Sequence, residues 1–160
     1  MAARTKARKR ALDVLFEAEQ RGENVLTVLD RRLVDSGREA PLPPYATQIV
    51  RGVVSRWSEL DAIVADASTE WPLKRMPAVD RNLLRIGAWE LLCNDDVSVA
   101  VAIDEAVELA RDLSTDDSPR FINGVLGRVA RDAPALRPLP DESTVEASAD
   151  AAEQSDADDA

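Results

Sequence analysis

The chain contains no histidine. That removes the commonest general base and the commonest metal ligand, and excludes any Ser-His-Asp or Cys-His catalytic arrangement. There is one cysteine, Cys93, so no disulfide can close within the chain. It lies in an apolar run and reads as a small buried hydrophobe. Aromatic residues make up 4% of the sequence, which predicts an aliphatic, alanine-rich core. No apolar run approaches the ~18 residues of a membrane span, and the basic N-terminus lacks the apolar segment of a secretory signal. The expectation is a cytoplasmic protein that makes no membrane contact. Neither a Walker A sequence nor a GxGxxG loop occurs, and no cofactor is implied.

What remains is a chain of 160 residues with a normal hydrophobic share of 45%, long enough for one domain with a real core. Its net charge of −10 hides an uneven distribution. Residues 141–160 hold eight acidic side chains and no basic one, and the rest of the chain, with 20 basic and 22 acidic residues, is close to neutral. The first ten residues carry Arg4, Lys6, Arg8, Lys9 and Arg10 and no acid. Local charge decides whether a polyanion binds, so a basic head on a near-neutral body matters more than the total. Asp95-Asp96 and Asp116-Asp117 are paired carboxylates, but each precedes a predicted helix. There an acidic group stabilises the N-terminus by about 0.3–1 kcal/mol, and capping is the simpler role.

Helical periodicity dominates, with no convincing period-two strand. The spacing predicts helices over about 5–21 and 24–36, a third from Pro44 that carries Tyr45, Ile49, Val50 and Val53, and further helices over about 58–70, 77–93, 99–113 and from 118 to just before Pro134. Gly22 reads as a C-cap, Pro44 as the first residue of the third helix, and Ser58-x-x-Asp61 as a capping box. The fifth helix is apolar nearly all round and should be central. Its charges, Asp80, Arg81, Arg85 and Glu90, read as ion-pairing groups. Seven amphipathic helices joined by short connections imply an all-α, bundle-like single domain over residues 1–134. Residues 135–160 change character: prolines and an acidic Ala/Ser/Asp-rich run cannot bury enough apolar surface to fold, and predict a disordered tail.

Two features point to nucleic acid. The five cations of the head could neutralise about five phosphates, a salt slope of about −3.5 for a single strand. In the last helix Ile122, Val125, Leu126 and Val129 form one apolar stripe, with Phe121 at its edge and Arg120, Gly124, Arg128 and Arg131 opposite. An aromatic beside arginines, with a glycine that permits close approach, suits a single strand whose bases stack at ~1–3 kcal/mol each. One RNA can touch both features only if the first and seventh helices are neighbours.

The run from Ile103 to Ala110, followed after a polar gap by Phe121-Ile122-Asn123-Gly124-Val125-Leu126, resembles the C-terminal half of the NusB family of transcription antitermination factors. Trp71-Pro72-Leu73, Arg75, Pro77, Val79-Asp80-Arg81, Leu84-Arg85-Ile86 and Glu90-Leu91-Leu92 are similar too, as are Ala7-Arg8-Lys9-Arg10-Ala11-Leu12 and Leu15-Phe16. Together these motifs span roughly residues 4–131. Asp104 stands where the family usually has Asn, and Ser98 where it usually has Pro. The resemblance implies a non-catalytic, all-helical protein that binds boxA RNA of nascent ribosomal RNA leaders together with NusE, a small ribosomal protein, and helps RNA polymerase resist termination. It implies RNA contacts at Arg4, Lys6, Arg8, Lys9 and Phe121, with Asp117 tuning affinity. Arg10 and Arg120 flank those positions. It implies NusE contacts at Phe16, for which core packing is the competing reading, and at Asp80.

Two other readings compete. One is a detached NusB-like domain of the kind that precedes some ribosomal RNA methylcytosine methyltransferases. The other is a purely structural helical module that forms a homodimer, as some family members do.

Overall fold

The computed structural model describes residues 2–136, with side chains described through residue 133. Seven α-helices follow one another: α1 Ala3–Arg21, α2 Val25–Val34, α3 Pro44–Ser55, α4 Trp57–Ala67, α5 Ala78–Cys93, α6 Val99–Leu113 and α7 Ser118–Leu136. A single 3-10 turn, Leu73–Arg75, precedes α5, and no strand occurs among the described residues. Residues 137–160, most of the acidic tail expected to be disordered, lie outside the described residues. Ala135 and Leu136 belong to α7, which passes through Pro134. A proline there gives up its own N–H bond and crowds the carbonyl four residues back, and the helix ends within two residues of it.

Local signals set most of the helix ends. Gly22 adopts φ 63°, and the next N–H, from Glu23, bonds back to the Ala18 carbonyl to close α1. The Asn24 side chain caps α2 by accepting from Leu26 N–H at 2.9 Å. Pro44 is the first residue of α3, where its missing N–H costs nothing. Ser98 caps α6, its hydroxyl accepting from Val101 N–H at 3.2 Å, so the departure from Pro leaves that helix well started. Asp104 is exposed on the same helix. The capping box expected at Ser58 is absent. α4 starts at Trp57 after a one-residue joint at Arg56, and Asp61 instead receives Arg85 Nε at 2.7 Å.

Helix α5 is the axis of the domain. Eleven of its sixteen residues are buried, and α1, α3, α4, α6 and α7 all pack on it. α1 runs antiparallel to it: Arg8 meets Glu90 near the end of α5, while Glu19 meets Arg81 near its start. α7 runs parallel, with Ser118 beside Asp80 and Leu126 over Gly87. α3 approaches at Gly52, where an added Cβ would lie 2.2 Å from Trp89 Nε1.

The charges of α5 are all engaged. Arg81 binds Glu19 at 2.6 Å, and Arg85 binds Asp61 while lying 3.9 Å over the Trp57 ring. Glu90 binds Arg8.

Gly52→Ala is expected to destabilise the domain by about 1–3 kcal/mol through overpacking against Trp89. Gly124→Ala, whose Cβ would meet nothing within 4 Å, is expected to stabilise it by up to about 1 kcal/mol through helix propensity. Urea denaturation of the two variants checks both signs.

Candidate nucleic-acid interface

The basic head is the first turns of α1, and its five cations do not share one environment. Arg4 and Lys6 are exposed, and Lys9 and Arg10 are half-buried. Arg8 is 3% exposed and points inward. Its Nε and Nη2 donate to the two Glu90 carboxylate oxygens at 2.8 and 2.9 Å, and Glu105 lies 3.7 Å away. Tyr45 from α3 donates its hydroxyl to Glu90 at 2.7 Å and accepts from Asn94 Nδ2 at 3.1 Å. Burial works against the Arg8 charge, but the hydrogen bond and the charge of Glu90 outweigh it and hold the guanidinium above its ordinary pKa. Burial, reinforced by the bond to Glu90, pushes the Tyr45 hydroxyl well above its usual range.

Arg8, one of the expected RNA contacts, is enclosed in this structure. A forked, buried pair with Glu90 leaves it no face toward a polyanion. Thr5 is likewise turned inward and donates to Glu105 at 2.9 Å. Arg10 is held by Asp13 at 3.0 Å and by the Ser36 carbonyl. Arg4 lies 4.9 Å over the Tyr45 ring. Arg4, Lys6 and Lys9 are left as the head's cations without a carboxylate partner among the described residues.

The second feature is a groove of about 500 Å³ between α7 and the segment that follows α4. Phe121 packs one side on the core and turns the other to the groove. The Trp71 ring stands beside it with centroids 5.1 Å apart and planes tilted by 57°, within the contact range of an aromatic pair. Arg120, Arg128 and Arg131 line the same groove, against Glu70 and Asp117. Arg128 leans toward Asp132 at 3.9 Å, while Arg120 and Arg131 form no ion pair among the described residues. Gly124 forms part of the wall without being required by packing, so a ligand can approach its backbone closely. Asp117 starts α7 through its carbonyl, which accepts from Phe121 N–H at 3.1 Å, and its side chain is exposed. Trp71 enters the sequence reading as part of the family resemblance, with no site role there.

The two residues expected to meet a protein partner part company. Phe16 is 38% exposed, so core packing does not account for it. Asp80 is wholly buried: Ser114 Oγ donates to one of its oxygens at 2.5 Å and Ser118 Oγ to the other at 2.8 Å. It ties the α6–α7 connection to the start of α5 and presents no surface to a partner.

The head and the Phe121 groove are not adjacent. Arg8 marks the Glu90 end of α5 and Ser118 marks the Asp80 end. Ten residues at ~1.5 Å rise place these levels about 15 Å apart along the helix. α1 and α7 share α5 as a packing partner but do not pack extensively on each other. Among the described residues no group of His, Cys, Asp and Glu could hold a metal ion, and no helix is long and apolar enough to cross a membrane.

The NusB family model matches residues 5–131. The transcription antitermination protein NusB of Nocardioides sp. is 52% identical over 136 residues, which cover 85% of this chain and 99% of that protein. Its counterpart in Kineococcus radiotolerans is 54% identical over 130 residues, covering 81% of this chain and 94% of that one. Among solved structures, T. maritima NusB is similar with a TM-score of 0.72 and 32% identity, covering 82% of this chain and 92% of that one. A chain in the crystal structure of antitermination factors NusB and NusE in complex with dsRNA gives a TM-score of 0.70 at 26% identity, over 80% and 96% of the two chains.

Tyr45 is the only tyrosine, so tyrosinate absorbance reports it alone. Its pKa is raised in the folded state. Its contribution to stability is therefore full below the unfolded value of about 10 and is lost as pH climbs toward the folded value. The native protein is expected to show no tyrosinate signal at pH 10.5, where the urea-unfolded chain is largely ionised. Equal titration of the two states would contradict the Glu90 clamp.

Proposed function

The chain belongs to the NusB family, and from that membership and the two basic surfaces we propose a non-catalytic transcription antitermination factor that binds RNA through both of them. The RNA is the boxA element of nascent ribosomal RNA leaders. The protein partner is NusE, the factor found beside the similar chain in the complex with dsRNA. The joint complex acts on elongating RNA polymerase.

The observation that carries this reading is the Phe121 groove. It combines a half-buried ring, a second ring at Trp71, three arginines and an open glycine backbone, which is what a stacked and phosphate-tracked single strand requires. Arg4, Lys6 and Lys9 supply sequence-independent phosphate contacts at the far end of α5. Sequence preference has to come from the bases held in the groove, because phosphate contacts position but do not specify. A strand that spans about 15 Å engages both surfaces, so neither alone needs to be tight.

NusE raises RNA affinity by joining its surface to this one, and by linkage RNA raises NusE affinity by the same factor. Phe16, exposed and aromatic, is the residue we place in that contact. Asp117, exposed at the groove, opposes the RNA charge and limits affinity.

Fluorescence anisotropy of a labelled boxA-like RNA, with and without NusE and across a salt series, tests the reading. Phe121→Ala is expected to cost about 1–3 kcal/mol of binding with no change in salt slope, because a ring carries no charge. Binding should tighten with NusE and be lost with a scrambled RNA. Equal, weak, salt-sensitive binding of both RNAs would leave only a basic helical domain.

A further inference from the structure

The proline-rich connection between α2 and α3, residues 35–43, has no part in the function above, yet it is built rather than slack. Gly37 turns it with φ 72°, and its N–H donates to Asp35 Oδ1 at 3.0 Å. The buried Ser36 hydroxyl lies 2.9 and 2.7 Å from the carbonyls of Arg38 and Ala40 and accepts from Arg38 N–H at 3.2 Å. Arg10 on α1 donates to the Ser36 carbonyl, and Leu42 anchors the far end in the core. The connection therefore keeps its shape with no ligand bound.

Between this shelf and the first turns of α1 lies a cleft of about 300 Å³. One wall is Ala40, Pro41 and Pro43. The opposite wall is the face of α1 that carries Lys6, Lys9, Arg10 and Asp13 at i, i+3, i+4 and i+7. Arg38 closes the rim, 58% exposed and 3.4 Å from Asp13. Four cations face one carboxylate across an apolar wall. Lys6 and Lys9 have no anionic partner among the described residues.

We propose that this cleft takes one nucleotide of a single-stranded RNA. The base lies against the Pro41–Pro43 wall, and its flanking phosphates meet Lys6 and Lys9 on one side and Arg38 on the other. The charge excludes an apolar peptide, and the volume is at the lower end for small-molecule sites, too small for a duplex. Proline rings offer a base a face without donors or acceptors, so this subsite holds any base. The proposal rests on the RNA-binding reading and extends it to a loop and to Arg38, which that reading leaves out.

The test uses the full chain and a short fluorescein-labelled single-stranded RNA. Arg38→Glu replaces one phosphate contact with a repelling carboxylate at an exposed position. Affinity is expected to fall at least about fivefold at 0.1 M salt and the salt slope to become less negative by at least about 0.7, with helical content by circular dichroism unchanged. An independent readout uses the chain's three lysines, Lys6, Lys9 and Lys74. Lys74 is exposed and lines neither cleft. Bound RNA is expected to protect Lys6 and Lys9 from acetylation, read by mass spectrometry, and to leave Lys74 reactive. If Arg38→Glu keeps wild-type affinity and slope while Phe121→Ala still weakens binding, the cleft assignment is wrong and the RNA-binding reading stands. Uniform acetylation of all three lysines in the bound state overturns the cleft and the head's phosphate contacts at Lys6 and Lys9 together, and Arg38→Glu separates the two. If the wild-type chain binds no RNA, both readings fall.

Discussion

The Arg8–Glu90 pair is the constraint on which the arrangement of this domain depends. It joins the start of α1 to the end of α5, and both side chains are nearly sealed from water. Two charges in such a place are tolerable only with good geometry and with their remaining hydrogen-bonding capacity met. The fork of Arg8 matches both carboxylate oxygens, and Tyr45 and Asn94 complete the network from α3 and the end of α5. Removing either charge alone strands the other and costs about 3–5 kcal/mol. The pair contributes register more than net stability: it fixes where α1 lies along α5, and Asp80 with its two serines does the same for α7 at the opposite end.

That register separates cations that look equivalent in the sequence. A helical face alternates with the turn, so in a run of five basic residues some must point at the core. Arg8 does, and Glu90 satisfies it. Arg10 and Arg38 share Asp13, and Arg10 pins the proline-rich connection. Arg4, Lys6 and Lys9 remain to meet a polyanion. The same division recurs on α7, where Ile122 and Leu126 are buried, Arg120 and Arg131 form no ion pair among the described residues, and Phe121 sits between the two environments. Because α1 is antiparallel and α7 parallel to α5, the head lies at the Glu90 end of the domain and the start of α7, with Phe121, toward the Asp80 end. A strand must be long enough to reach both, and two modest contacts then combine into a selective one.

The fold was largely legible. Gly22, Asn24, Pro44 and Ser98 act locally, through φ preference or a side chain two or three residues from its partner, so their roles follow from a short window. The nearly all-round apolarity of α5 announced its central place. The site was less legible because its decisive contacts are distant. Arg8 and Glu90 are 82 positions apart, and nothing near Arg8 distinguishes it from Lys9. Asp80 opens a helix as a capping acid would, and only the return of Ser114 and Ser118 shows that it is buried. Trp71 becomes part of a groove only once α7 is laid against the segment after α4. Resemblance to the family transferred roles position by position, and only the structure shows that Arg8 and Asp80 are buried.

The most direct measurement of this division is the salt dependence of RNA binding by the double variant Arg8→Gln/Glu90→Gln beside the single variant Lys6→Gln. The double variant removes both buried charges together, so neither is stranded. It is expected to bind RNA with the wild-type slope, while Lys6→Gln loses about 0.7 from the slope, the share of one phosphate. A slope reduced by the same amount in the double variant would contradict the account, because it would place Arg8 on the RNA and not in the core.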